Sequence, residues 1–197
     1  MNMLKDYVVL DIETTGLSKY YHKITEIAAI KVKNNKIHSK FEELINPGVK
    51  IPSFITGLTG ITDDMVKNKP DIKETLPKFL EFLDENIIIA HNATFDHGFL
   101  SENARAHLKQ DLKNERLCTR KLAYRILNNL PSKRLSCICE YYNISNNQAH
   151  RAMSDVKATY QVFNNFLDFL DKKGVNTKKD ILRFEKTSLN KLRETIL

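Results

Sequence analysis

The chain has 197 residues, 42% hydrophobic and 28% charged, which suffices for one well-buried core and is too few for two large domains. Three cysteines (Cys118, Cys137, Cys139) exclude a disulfide framework, and no apolar run approaches the ~20 residues that span a bilayer. A cytoplasmic protein with reduced thiols and no membrane partner is therefore expected. The formal net charge of +7 draws polyanions toward the chain, and a solvated lysine-rich face accounts for it as well.

Met1 to Tyr7 carries Lys5 and Asp6 and leads into a strand rather than an apolar signal segment. Tyr7 to Asp11 is a short β-rich run ending in an acid and predicts a buried strand. Strands follow over Ile24 to Val32 and Lys36 to Ile45, joined by a hairpin turn at Lys33-Asn34-Asn35. Asn46 to Gly60 is rich in Pro and Gly and reads as loop, and Thr62 reads as the N-cap of a helix. Leu76, Phe79, Leu80 and Leu83 have helical spacing, and Ile87 to His91 is a short apolar strand. Helices are expected over Asp96 to His107, Arg120 to Leu127 and Leu135 to Tyr142, with a short strand at Leu117-Cys118. Arg151 to Leu170 is a long amphipathic helix. A three-strand meander followed by alternating strands and helices predicts an α/β fold, with a mixed sheet flanked by helices and ligands gathering where its strands end.

Three acidic segments fall near such strand and helix ends. Asp11 and Glu13, two apart on extended backbone, point to one face. Paired carboxylates suit hard divalent cations, and two Mg²⁺ ions roughly 4 Å apart can hold both oxygens of a phosphoryl displacement. Asp96 follows the fourth strand, and His150 and Asp155 lie at the start of the long helix. Each also has a plain structural reading: a strand end in solvent, a first-turn helical acid, a surface histidine. A histidine titrates near neutrality and could instead deprotonate an attacking water.

Three runs together resemble one family. Val9-Leu10-Asp11-Ile12-Glu13-Thr14-Thr15-Gly16-Leu17, His91 to Leu100 and His150-Arg151-Ala152-Met153-Ser154-Asp155 are similar, in order, to the three motifs of the DEDDh (DnaQ-like) 3′→5′ exonuclease superfamily. The Leu58 to Met65 segment is similar to the corresponding part of the polymerase III epsilon subunit and of the Gram-positive replicative polymerase exonuclease region. The resemblance covers about residues 6 to 170. It implies a ribonuclease H-like fold and hydrolysis with two divalent cations, Mg²⁺ or Mn²⁺. Asp11 would bridge both ions, Glu13 and Asp155 would complete the site of the water-activating ion, Asp96 would hold the second, and His150 would be the general base. The implied partners are a nucleic-acid 3′ end and a polymerase or other replication partner.

The turn at Thr14-Thr15-Gly16 could offer backbone N–H groups to a terminal 3′ hydroxyl, and Leu17 could wedge against the last base. Phe95 reads equally as a stacking platform or as core. Asn92 is a candidate substrate contact that also serves to order the turn, and Arg151 is a candidate phosphate contact at a position where arginine is often just solvated. His91 reads as structural. DNA is favoured by the motif spellings, with an exoribonuclease as the alternative and a non-catalytic binding module behind both. Residues 1–170 are expected to form the exonuclease domain and 171–197 a C-terminal helical extension, with Leu182, Leu189, Leu192 and Ile196 at helical spacing. Docking of that extension on its own domain is favoured over a partner-binding arm.

Overall fold

The computed structural model describes residues 4–188. Its centre is a five-stranded sheet in the order β3-β2-β1-β4-β5. The strands are β1 (Tyr7–Thr14), β2 (Ile24–Lys33), β3 (Lys36–Leu44), β4 (Ile88–Ala90) and β5 (Arg116–Cys118). β1 pairs antiparallel with β2, and β2 with β3. β4 joins β1 in parallel and β5 joins β4 in parallel, which gives the ribonuclease H-like mixed sheet. The β2–β3 turn is made by Asn34 and Asn35, both at positive φ (50° and 62°), the backbone that short hairpins require. β2 is interior and buried along all but its last residue, whereas the edge strand β3 is largely exposed and carries Lys36, Lys40, Glu42 and Glu43, charges that discourage edge-to-edge pairing.

Each sheet face has its own core. Val8, Leu10 and Ile12 of β1 pack with Leu76, Phe79 and Leu83 of α3 (Ile72–Leu83) and with Phe99 and Leu100 of α4 (Ala93–Asn103). Tyr7 and Val9 face the other way, toward α5 (Thr119–Ile126), α6 (Leu135–Tyr141) and α7 (Ala152–Lys172). The long helix α7 contributes Val156, Val162, Phe163, Phe166, Leu167 and Leu170 to that core, and Phe163 meets Tyr7 edge-on at 5.3 Å. This stripe presses the start of α7 against β1 and β2, so residues 150–155 reach the sheet end where β1 stops.

Three boundaries differ from the sequence reading. The stretch expected as loop contains a helix, α1 (Ser53–Thr59), followed by the single turn α2 (Asp63–Val66). Pro52 precedes α1 and Gly60 ends it at φ 72°, so Pro and Gly bracket this helix rather than forbid it. Its Ile55 packs with Ile51, Ile61 and Val66 from outside the helix, a small separate core. β1 runs on past Asp11 to Thr14, and α4 continues into a π-helical turn over Ala104–Leu108. At the other end, α8 (Lys178–Lys186) buries Ile181 and Phe184 in the core shared with α7, and Lys121 pairs with Glu185 at 3.6 Å. Leu189, Leu192 and Ile196 lie outside the described residues. Among the described residues, no helix is long and apolar enough to cross a membrane.

Candidate active site

β1 is longer than its parallel neighbour. The two strands pair at Val8↔Ile88 and Val9↔Ile89, and β4 ends at Ala90. Even-numbered residues of β1 aim their N–H groups at that side, as Val8 does in donating to Ile87 O at 3.0 Å. Beyond the end of β4 the Ile12 N–H has no strand to meet, and the Asp96 carboxylate accepts it at 3.3 Å. Asp96 gets there because Asn92, in the left-handed region at φ 77°, turns the chain from β4 directly into α4, leaving Asp96 in the first helical turn and 2% exposed. Asp11 and Glu13 lie on the opposite face, the one that α7 covers. Glu13 stands across from Glu26 of β2, immediately before a β-bulge.

The start of α7 supplies the third group. His150 is exposed and sits at φ 65°, a left-handed conformation uncommon outside glycine. Its N–H is held by Asp155 Oδ2 at 3.0 Å, while Asn146 Nδ2 donates to Asp155 Oδ1 at 2.6 Å. Ser154 in turn donates to Asn146 Oδ1 at 2.6 Å. Glu13, His150 and Asp155 thereby bring potential ligand atoms within 4.8 Å of one another.

Charge is concentrated here and poorly balanced. Burial raises the Asp11 carboxyl well above its ordinary range, and Asp96, Glu13, Asp155 and Glu26 add to the effect. Glu13 is pushed from 4.5 up to about 8 by burial and by Asp155, Glu26 and Asp96, with Arg151 opposing. Asp96 is also raised by burial, against the N–H groups of Ile12 and of its own backbone. Such a set resists full ionisation until positive charge arrives. Its all-oxygen donors, clustered and under-compensated, fit hard divalent cations.

Comparison with known proteins supplies the family. The family model RNase_T, described as exonuclease, matches residues 8–163. The chain belongs to this exonuclease family. Asp11, Glu13, Asp96, His150 and Asp155, the residues on which the DEDDh resemblance rests, are all present in the chain. It is 42% identical over 176 residues to the PolC-type DNA polymerase III of Caldanaerobacter subterraneus subsp. tengcongensis, covering 89% of this chain and 12% of that one. To the Bacillus subtilis PolC-type enzyme it is 39% identical over 170 residues, covering 86% and 12%. The chain thus spans about 12% of the length of these relatives. Among solved structures, exonuclease X in complex with 5′ overhanging duplex DNA superposes with a TM-score of 0.68 at 25% identity, over 91% of this chain and 99% of that one. The Escherichia coli exonuclease I–single-stranded DNA complex gives 0.73 at 20% identity, over 85% and 43%, and shares the fold.

The residues expected to touch substrate differ in their surroundings. Leu17 stands 87% exposed. Thr14 is buried and its hydroxyl donates to Gly16 O at 2.7 Å. The Thr15 N–H is given to Lys23 O at 2.8 Å, so that N–H is not free for a 3′ hydroxyl. Phe95 is half-buried and packs its ring 4.9 Å from Phe99. Asn92 is exposed and lines a cleft of about 500 Å³ together with Asp11, His150 and Asp155.

Arg151 corrects the sequence reading, which gave it to phosphate or to solvent. It forms a salt bridge at 2.9 Å with Glu26, which is 1% exposed. Glu26 also accepts the Ala152 N–H at 2.9 Å, anchoring the first turn of α7 to β2. The sequence reading overlooked Glu26, although a lone acid inside the apolar run Ile24 to Val32 was a signal of a buried partner. Asn146, and Arg120 and Arg134 in the cleft, were overlooked too. No pattern in the sequence sets them apart from surface residues.

Proposed function

We propose that this exonuclease removes nucleotides singly from the 3′ end of DNA, using two divalent cations held by Asp11, Glu13, Asp96 and Asp155, with His150 as general base. The observation that carries the reading is the meeting of His150 with Glu13 and Asp155 beside a carboxylate cluster whose ionisation the protein does not compensate. DNA is favoured because the relatives near 40% identity are named DNA polymerases. The same names support a replication partner and a cytoplasmic setting.

The protein's own groups divide the work. Asp96, fixed by the Ile12 N–H, stands beside the projecting end of β1 that carries Asp11. Asp155, fixed by Asn146 and by the His150 N–H, holds its carboxylate against Glu13 and the imidazole. His150, exposed above this pair, takes the proton of the attacking water as the phosphodiester is cut. Leu17 and Phe95 bound the place for the terminal nucleoside. The cations, when bound, polarise the phosphate and stabilise charge on the attacking and departing oxygens.

The test is digestion of 5′-labelled DNA and RNA, single- and double-stranded, with Mg²⁺ or Mn²⁺, beside an Asp11→Ala control. A ladder shortening from the 3′ end of DNA, absent in the variant, is expected. Preferential shortening of RNA would reassign the substrate. Equal inactivity of wild type and variant on every substrate would remove the enzymatic reading.

A further inference from the structure

We propose that Arg120 and Arg134 form a phosphate-binding wall that grips the substrate backbone on the 5′ side of the bond being cut; this rests on the exonuclease reading above. Both arginines line the cleft that also contains Asp11, His150 and Asp155. The cleft, about 500 Å³, is of a size that takes a ligand larger than one phosphate. Both side chains are exposed, and among the described residues neither guanidinium has an ion-pair or hydrogen-bond partner. They stand beyond ion-pair distance of the Asp11 and Asp155 carboxylates in the same cleft. Assigned to a neighbouring phosphate, they would leave the reacting one to the groups around Asp11 and Asp155. Planar guanidinium groups match phosphate oxygens two at a time, as lysine does not.

The two arginines come from different elements, and one buried side chain ties those elements together. His91, at the end of β4, meets Thr119 Oγ1 through Nδ1 at 3.0 Å and Lys133 O through Nε2 at 3.0 Å. Burial lowers its pKa to about 4, so the ring is neutral and carries one N–H. A carbonyl can only accept, so that N–H is on Nε2, and Nδ1 faces the Thr119 hydroxyl, which also reaches Ala90 O at 3.3 Å. The residues next to Arg120 and Arg134 are therefore fixed to the same imidazole. Lys133 itself turns inward, its amine donating to Leu130 O and lying 5.3 Å from the Tyr124 ring centroid, which leaves Arg134 as the cation of that pair facing the cleft.

The test uses two substrates. A single-stranded oligonucleotide carries phosphates upstream of the bond cut, whereas thymidine 5′-(p-nitrophenyl phosphate) offers only the terminal nucleoside and one phosphodiester. For Arg120→Gln and Arg134→Gln, the ratio of kcat/KM on the oligonucleotide to that on the ester is expected to fall about tenfold, chiefly through KM. Each substitution should also make the dependence of log(kcat/KM) on log salt shallower by about 0.7, the counterion release of one single-strand phosphate contact. Arg134→Lys should keep the salt slope, which distinguishes a lost charge from a damaged fold. Equal losses on both substrates, or an unchanged slope in the glutamine variants, would overturn the wall and leave the exonuclease reading intact. A wild-type protein that hydrolyses neither substrate would overturn both.

Discussion

Glu13 and Glu26 face each other across two strands, yet the protein treats them oppositely. Glu26 is buried and fully provided for: Arg151 at 2.9 Å, the Ala152 N–H at 2.9 Å, and a role in holding α7 to the sheet. Glu13, one strand away, has its proton held up to about pH 8 by burial and by other acids. Asp11 is likewise raised by burial and by its acidic neighbours, and Asp96 is raised by burial to about 7. The lesson is that burial of an acid does not mark function by itself. What marks it is an acid whose charge the fold has left unbalanced, next to one that it has balanced completely.

The sharpest way to break this comparison is Asp11→Asn. Nucleotide release is expected to fall on the order of 10³-fold or more, because a carboxylate placing a catalytic cation contributes several kcal/mol to the transition state. The same substitution should raise the melting temperature of the metal-free protein, by about 2–4 °C for each kcal/mol of repulsion removed. A drop in that temperature would show that Asp11 is a structural acid after all. His150→Asn comes next. Asparagine tolerates the left-handed backbone at this position, so the fold should persist while kcat drops about 10²–10³-fold, measured at saturating substrate.

Glu26→Gln moves stability in the other direction. It strands the Arg151 charge, which costs ~3 kcal/mol for a pair whose arginine remains one-third exposed, or roughly 6–12 °C in melting temperature. The opposite signs at Asp11 and Glu26, read by the same thermal scan, are the contrast to look for. The remaining contrast is in pH. A carboxyl raised on folding contributes stability that is fully present below its unfolded pKa, 4.5 for Glu13, and is lost as pH rises through about 8. The metal-free protein should therefore melt progressively lower between about pH 5 and about pH 9, and saturating Mg²⁺ should flatten that slope. A metal-free melting temperature that rises over this range would contradict the charge imbalance.

Much of this was legible in the chain itself. The strands of the sheet follow from apolar runs and the Asn34-Asn35 turn, and Asp11, Glu13, Asp96, His150 and Asp155 stand in short motifs that need no tertiary knowledge to spot. What was hidden depends on distant partners. Glu26 and Arg151 are bonded across a sequence separation of 125, so neither residue explains the other locally. α1 was obscured because Gly57 and the flanking Pro52 and Gly60 argue for loop, while its stability comes from Ile51, Ile61 and Val66 outside the helix. Arg120 and Arg134 line one cleft, and His91 joins the segments beside them.

The most direct test of the uncompensated cluster is anomalous diffraction from crystals soaked in Mn²⁺ with a nucleoside 5′-monophosphate. Two metal peaks are predicted, both within reach of Asp11, one also bounded by Glu13 and Asp155 and the other by Asp96, with none at Glu26. Fully occupied crystals showing no peak at Asp11, or a metal seated on Glu26 instead, would contradict the account.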